Sequence, residues 1–272
     1  MIKIKNFFIG DYNPFVLIAG PCVVENEKMI LQTANSIIKI TNDLKIPYIF
    51  KSSYKKANRT SQKSFSGIGD AEAIKILSKV HNEIGIPVLT DIHSPEEVTE
   101  VGDAADVLQI PAFLCRQTEL LIAAGKSGKV INIKKGQFLA PEDMKFAADK
   151  VESTGNNKIL LTERGTTFGY HNLVVDMRSL IIMKELGYPV VMDATHSVQL
   201  PSQNAQSGGE PKFIKPLARA AAAVGIDALF LEVHPDPKNA LSDAASQLSL
   251  DELKDLLVIV KEIDGIVKEE FK

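Results

Sequence analysis

Eight short, almost continuously apolar runs constrain this chain more than any other feature of it; they lie at residues 15–22, 48–53, 88–93, 107–113, 130–135, 159–164, 190–196 and 228–234. Between them the apolar residues fall at helical spacing, as in Ile74, Leu77, Val80 and Ile84, or Leu250, Leu253, Leu257, Val260 and Val267. Strands that are apolar on both sides need cover on both faces, which predicts parallel pairing beneath a layer of helices. Eight such units are the natural count for an α/β protein that closes into a (β/α)8 TIM barrel. The alternative, an open doubly wound sheet, wants a glycine-rich turn after an early strand. Gly67-Ile-Gly69 lacks the third glycine and follows a loop, so the dinucleotide fingerprint fails. Residues 1–12 alternate and contain glycine, which predicts a short N-terminal β hairpin or strand plugging the N-terminal end of the barrel. No second domain, repeat or low-complexity stretch stands out, so a single barrel domain over residues 1–272 is expected, although length alone allows between one and two domains.

Local signals fix several element ends. Ser94-Pro-Glu-Glu97 and Ser249-Leu-Asp-Glu252 have the hydroxyl-to-carboxylate spacing of capping boxes and predict helix starts. Gly85, Gly187 and Gly225 predict helix stops that lead at once into the next strand. The connections after the second, seventh and eighth strands are long, at 53–69, 197–211 and 235–248, and long loops in a compact domain are usually functional.

Composition narrows the class of function. With 31 Lys+Arg against 34 Asp+Glu the formal charge is −3, and no charged tail marks a nucleic-acid binder or a membrane-surface protein. No run of about 18 apolar residues predicts a membrane span. The N-terminus lacks the long apolar core and small-residue cleavage site of an export signal, so a cytoplasmic protein is expected. In that reducing compartment the two cysteines, Cys22 and Cys115, are packed or metal-bound rather than bridged.

In a barrel, all eight strands end on one face, and here each ends polar: Cys22, Lys51, Asp91 and His93, Gln109, Lys134, Glu163 and Arg164, Asp193 and His196, Glu232 and His234. That is the face on which barrel enzymes carry their active sites. Lys51, Lys56, Arg59, Lys134, Lys135 and Arg164 would converge there and repel one another unless phosphates or carboxylates compensate them, so an anionic ligand is expected. Arg164 suits bidentate binding of such a group. Cys22, His196, Glu232 and Asp243 form a donor set able to hold a divalent transition metal with a position left open, although Cys22 reads equally as a small buried hydrophobe and Glu232 as a partner for a cation. Cys115 has no such partners and reads as packing. Asp91 and His93 read either as an acid/base pair or as ligand hydrogen-bonders, while His81, within a helix, and His171, in a loop, read as structural or exposed.

Several motifs are specific enough to carry a resemblance: Ala19-Gly-Pro-Cys22, Lys51-Ser-Ser-Tyr-Lys-Lys-Ala-Asn-Arg-Thr60, Thr90-Asp-Ile-His93, Gln109-Ile-Pro-Ala-Phe-Leu-Cys-Arg-Gln117, Asn132-Ile-Lys-Lys-Gly-Gln-Phe138, Thr162-Glu-Arg-Gly165, Phe168-Gly-Tyr170, Asp193-Ala-Thr-His-Ser197, Ser207-Gly-Gly209 and Glu232-Val-His-Pro235. Over nearly its whole length the chain resembles the 3-deoxy-D-manno-octulosonate 8-phosphate synthase family. The resemblance implies a homotetrameric (β/α)8 barrel that condenses phosphoenolpyruvate with D-arabinose 5-phosphate and releases phosphate, on the route to lipopolysaccharide. It implies that Lys56, Lys134 and Arg164 hold phosphoenolpyruvate with Lys51, Gln109 and the Pro111-Ala112 backbone nearby, and that Asn58, Arg59 and Thr60 receive the sugar phosphate. The family commonly has Ser at the position of Thr60, a departure that keeps the hydroxyl. Arg116 resembles a residue that reaches into a neighbouring subunit's sugar-phosphate site. The family divides into metal-dependent members with Cys in the Gly-Pro-Cys motif and metal-independent members with Asn there. Cys22 puts this chain with the first group, which implies one divalent ion, Zn, Fe, Mn or Co, on Cys22, His196, Glu232 and Asp243, and a catalytic part for Cys22, His93, His196 and Asp243. The runner-up is the sister synthase of the aromatic pathway, 3-deoxy-D-arabino-heptulosonate 7-phosphate synthase, which uses erythrose 4-phosphate and usually shows Lys-Pro-Arg-Thr where this chain has Lys56-Ala-Asn-Arg-Thr60. A barrel that had lost its chemistry and only bound phosphosugars would be expected to lack a cation or a ligand type, and none is missing.

Overall fold

The computed structural model describes residues 1–57, 64–170, 172–201 and 208–269. A hairpin of β1 (Ile2–Ile4) and β2 (Phe7–Ile9) comes first, followed by β3 (Val16–Gly20), β4 (Tyr48–Lys51), β5 (Val88–Asp91), β6 (Val107–Ile110), β7 (Val130–Lys134) and β8 (Ile159–Glu163). A ribbon of β9 (Thr166–Thr167) and β10 (Leu173–Val174) precedes β11 (Val190–Asp193). A second ribbon, β12 (Gln199–Leu200) with β13 (Gly208–Gly209), precedes β14 (Ala228–His234), and β15 (Leu248–Ser249) lies beside the end of β14. Helices α1 (Glu27–Leu44), α2 (Asp70–Lys79), α3 (Val98–Ala104), α4 (Thr118–Lys126), α5 (Met144–Glu152), α6 (Arg178–Glu185), α7 (Ile214–Val224) and α8 (Leu250–Glu269) alternate with the barrel strands.

Strands β3 to β8, then β11 and β14, pair in parallel in that order, and β14 returns to β3 with Glu232 opposite Gly20, which closes the barrel. The close approach of β3 to β4 leaves no room for a side chain at position 20, where a Cβ would stand 2.1 Å from the Lys51 carbonyl oxygen. Because side chains alternate along a strand, each strand serves two cores. Leu17, Phe50, Leu108, Ile131, Leu161, Met192 and Leu231 face the helices, while Ile18, Ile49, Leu89, Val107, Val130, Leu160, Val191 and Phe230 fill the barrel. The hairpin contributes Ile2, Ile4 and Ile9 to that inner cluster, so it plugs the N-terminal end as its alternation predicts.

The helices follow from local chemistry and from the face they bury. Asn26 caps α1 by accepting the Met29 N–H at 2.9 Å, and the helix buries Ile30, Thr33, Ala34, Ile37 and Thr41 before ending at Lys45 in the left-handed region. At the other end of the chain, Asp264 of α8 accepts the Phe15 N–H at 3.1 Å and pairs with Lys268 at 2.6 Å, which ties the last helix to the start of β3. Gly85 and Gly225 end their helices in the left-handed conformation, as expected. The capping box at Ser94 does not form. The segment starts as a 3₁₀ turn, Pro95–Glu97, without a side-chain cap, because the Glu97 carboxylate accepts the His93 N–H at 2.6 Å instead of reaching back to Ser94. Most barrel strands also stop short of the apolar runs, since Pro111 has no N–H for the ladder and the polar residues beyond Asp193 turn into the mouth.

Candidate active site

The ends of the barrel strands open into a cavity of about 540 Å³, lined by Lys51, Lys56, Asp91, His93, Gln109, Lys134, Arg164, His196 and Asp243 among others. Most of the residues expected at a strand-end mouth are therefore brought together. Lys135 is not. Its side chain turns away to the Thr166 hydroxyl at 2.9 Å and the Leu139 carbonyl at 3.3 Å, with Glu163 at 3.6 Å, so it braces the loop after β7 instead of joining the cations. Cys22 and Glu232, at 1% and 0% exposure, lie beneath the cavity floor.

Each cation is held differently. Lys51 donates to Glu232 at 2.7 Å and to the Cys22 carbonyl at 3.0 Å, and Lys56 stands 3.6 Å from the same carboxylate. Burial pulls the Lys56 ammonium down, but the electrostatic pull of the acidic groups beside it, Cys22, Glu232 and Asp243, outweighs that and raises it well above the usual lysine value. Lys134 pairs with Asp193 at 2.5 Å over the face of Phe230, and burial leaves its ammonium below the usual value. Arg164 is presented by a braced turn: Glu163 accepts the backbone N–H groups of Arg164 and Gly165 at 3.0 and 2.6 Å, and Ser179 donates to its other oxygen at 2.5 Å. One guanidinium nitrogen of Arg164 donates to Gln199 at 2.8 Å, while the other, NH1, is buried without a hydrogen-bond partner among the described residues. A buried donor in that state carries a large desolvation cost unless a ligand satisfies it.

The soft donors cluster below. One ligand atom each from Cys22, Glu232 and Asp243 lies within 4.8 Å of the others. The Cys22 sulfur is 3.0 Å from the Ser242 hydroxyl and 3.3 Å from the Asp243 carboxylate, and burial together with the Asp243 and Glu232 charges pushes the thiol well above its ordinary value. Asp243 itself sits in the left-handed region at φ 47°. His196 stands outside that trio, with Nε2 3.4 Å from Glu232. Glu232 also keeps one buried oxygen, Oε2, without a hydrogen-bond partner among the described residues. A thiol, two carboxylates and an imidazole, with an orphaned carboxylate oxygen among them, fit a borderline divalent cation better than they fit one another.

Asp91 and His93 do not pair. Asp91 accepts from Ser53 and from Gln109, the latter at 2.6 Å, whereas His93 Nδ1 lies 3.2 Å from Glu97. Burial works against the Asp91 charge, but Lys51, Lys56 and His93 hold its carboxyl below the usual range. His81 bonds Asp106 at 2.9 Å and Cys115 is fully buried, so both are structural as expected. Arg116 is exposed. Asn58, Arg59, Thr60, His171 and Ser207 lie outside the described residues. Three residues not assigned a chemical role from the sequence take part in the site: Asp193, placed at the mouth only as a polar strand end, which bonds both Lys134 and His196; Gln199, which orients Arg164; and Ser242, which touches the Cys22 sulfur. For Asp193 the signal was present, in a carboxylate three residues before a histidine at a strand end.

A closed parallel barrel with a cation-lined mouth and a Cys/Glu/Asp cluster at its floor has the build of a barrel enzyme that receives an anion. The chain belongs to the DAHP synthetase I family, whose model matches residues 1–269. Proteins named 2-dehydro-3-deoxyphosphooctonate aldolase match it closely. The one from Geotalea uraniireducens is 56% identical and the one from Syntrophotalea carbinolica 55%, each over 268 residues and 98% of this chain, covering 98% and 97% of those proteins. The Geobacter sulfurreducens protein of the same name is 53% identical, with 98% of both chains covered.

Proposed function

We infer that this chain is a transferase that condenses phosphoenolpyruvate with D-arabinose 5-phosphate and water, giving 3-deoxy-D-manno-octulosonate 8-phosphate and phosphate for lipopolysaccharide synthesis. The observation that carries the reading is the unsatisfied, buried Arg164 guanidinium nitrogen in a cavity shared with Lys51, Lys56 and Lys134, in a chain about 55% identical to 2-dehydro-3-deoxyphosphooctonate aldolases. Erythrose 4-phosphate, the substrate of the sister synthase, is the weaker reading, because the closely matching relatives carry the octonate name and Ala57-Asn58 replaces that enzyme's proline.

In this reading C3 of phosphoenolpyruvate bonds to the aldehyde carbon of the sugar, the aldehyde oxygen gains a proton, water adds at C2, and the C2–O bond to phosphate breaks. Arg164, Lys56 and Lys134 neutralise the phosphate and carboxylate of phosphoenolpyruvate, with Lys51 and Gln109 fixing the floor. Lys134, its ammonium disfavoured by burial, and His93, held by Glu97, both line the cavity and are the candidate proton-handling groups. Asn58, Arg59 and Thr60 take the sugar phosphate, and Arg116 of a neighbouring subunit completes it. The homotetramer follows from the family resemblance, and the exposure of Arg116 together with that of Phe113 and Phe138, at 58% and 56%, is consistent with a subunit contact there. Cys22, His196, Glu232 and Asp243 would hold one divalent metal ion. When bound, such an ion supplies polarisation of a carbonyl or activation of a water. No helix among the described residues is long and apolar enough to cross a membrane. Both cysteines are free, as a reducing cytoplasm would keep them.

The test is phosphate release from phosphoenolpyruvate with each aldose phosphate in turn. Arabinose 5-phosphate is expected to be preferred strongly, since a site built to bond a hydroxyl rejects an analogue lacking it. Comparable kcat/KM with erythrose 4-phosphate would sink the assignment. Chelator-stripped protein, checked by elemental analysis, is expected to lose most turnover and regain it with Zn, Mn, Co or anaerobic Fe(II).

A further inference from the structure

Asp193 ends β11 with no exposure, and both its oxygens are engaged. Oδ1 accepts the Thr195 N–H at 3.1 Å, the Thr195 hydroxyl at 3.0 Å and the His196 N–H at 2.8 Å. Oδ2 alone serves Lys134 Nζ at 2.5 Å and His196 Nδ1 at 2.7 Å. We propose that Asp193 is a positioning residue that couples the anion site to the metal-ligand site, so that phosphoenolpyruvate and a divalent cation bind with positive linkage through this one oxygen. The proposal rests on the assignment of Lys134 to phosphoenolpyruvate and of His196 to the metal.

The geometry fixes the role of Nδ1. A carboxylate that accepts on both oxygens is ionised, so the imidazole nitrogen 2.7 Å from it carries the proton. Nε2 is the nitrogen left over by that bond, and it is the one that faces Glu232 at 3.4 Å. Lys134 Nζ and His196 Nδ1, 3.2 Å apart, are two donors converging on one acceptor and do not bond each other. The Thr195 hydroxyl extends the arrangement by accepting the Glu232 N–H at 3.0 Å, so Asp193 also sets the backbone that carries a second donor of the cluster.

An anion that draws Lys134 towards itself leaves Oδ2 to His196 alone. The Nδ1–H bond to the carboxylate strengthens, Nε2 gains electron density, and a cation there is held more tightly. Linkage is reciprocal, so the cation tightens phosphoenolpyruvate by the same factor. A bracket that merely held the fold together would produce no such factor.

The experiment uses the full chain stripped of metal. Co(II) affinity is read by competition with a chromophoric chelator, with and without saturating phosphoenolpyruvate, and phosphoenolpyruvate affinity is read by calorimetry with and without Co(II). The expected mutual gain is about 5- to 20-fold, within the usual range for coupled sites. Asp193→Asn keeps the volume and one acceptor but turns a donor towards Lys134 and His196. In that variant both ligands should still bind and the factor should fall to within twofold of unity. Lys134→Met, which leaves Asp193 and His196 in contact, should also abolish the factor, and it serves if Asp193→Asn does not fold. In the metal-free wild type, nitrogen-15 spectra should show His196 protonated at Nδ1. Wild-type ligands that bind without affecting each other, an undiminished factor in Asp193→Asn, or an Nε2–H tautomer would each overturn the coupling. Failure of wild type to bind Co(II) or phosphoenolpyruvate at all would instead defeat the functional reading beneath it.

Discussion

Two layers of the barrel interior, only two residues apart along the same strands, do opposite jobs. In the lower layer Ile49, Leu89, Val107, Val130, Leu160, Val191 and Phe230 pack on the hairpin residues Ile2, Ile4 and Ile9. Two residues further along each strand stand Lys51, Asp91, Gln109, Asn132, Thr162, Asp193 and Glu232, all of them buried. Part of the upper layer is a directed row: Thr162 donates to Asn132 at 2.6 Å, Asn132 to Gln109 at 2.8 Å, Gln109 to Asp91 at 2.6 Å, and Ser53 to Asp91 from the other side. The lower layer needs only shape, because dispersion and exclusion of water have no direction. The upper layer needs every partner in place, because a buried polar group left alone is costly. Beside this row, one nitrogen of Arg164 and one oxygen of Glu232 are buried without a hydrogen-bond partner among the described residues and are available to ligands.

The comparison can be broken by substitutions that should move activity and stability separately. The largest effect is expected from Arg164→Ala, which removes the cation with the unsatisfied nitrogen. A loss of about 2–5 kcal/mol, roughly 30-fold to several thousand-fold in kcat/KM, should come with little change in Tm. Kinetics within threefold of wild type would take Arg164 out of the site. Leu89→Ala, on the strand that carries Asp91, should do the reverse, costing about 2–5 kcal/mol of stability in urea titrations while the folded fraction keeps its KM for phosphoenolpyruvate. A changed KM at constant stability would show that the two layers are not separable.

A smaller effect sharpens the polar layer. Thr162→Val is nearly isosteric but leaves the buried Asn132 carbonyl without its donor, and a loss of about 1–3 kcal/mol is expected. An unchanged urea midpoint would mean that the row is not cooperative. The smallest effect appears only in acid. Lys51, Lys56 and His93 hold the Asp91 carboxyl below its unfolded value of about 3.9 despite burial, so its contribution is fully present above that pH and is lost as pH falls towards the folded value. Wild-type stability should therefore fall more steeply below about pH 4 than that of Asp91→Asn, and parallel acid limbs would refute the assignment.

The sequence by itself determined the barrel, its plug and the sign of its ligand, because continuous apolar runs, helical spacing between them, alternation in residues 1–12 and glycine stops are local signals that each element reads from its own neighbours. It placed Lys51, Lys56, Lys134 and Arg164 at one mouth because parallel strands all end on one side. Only the tertiary structure decided which charges meet. Cys22 and Asp243 are 221 positions apart, and they touch because β14 closes on β3. His93 turned to Glu97 instead of its strand neighbour Asp91, Lys135 left the mouth for Glu163 and Thr166, and Asp193 became the shared partner of Lys134 and His196. Strand order fixes where a Cα lies, but a long polar side chain goes to the partner that best offsets its desolvation. That partner is set by barrel closure and loop packing, to which no local pattern in the chain has access.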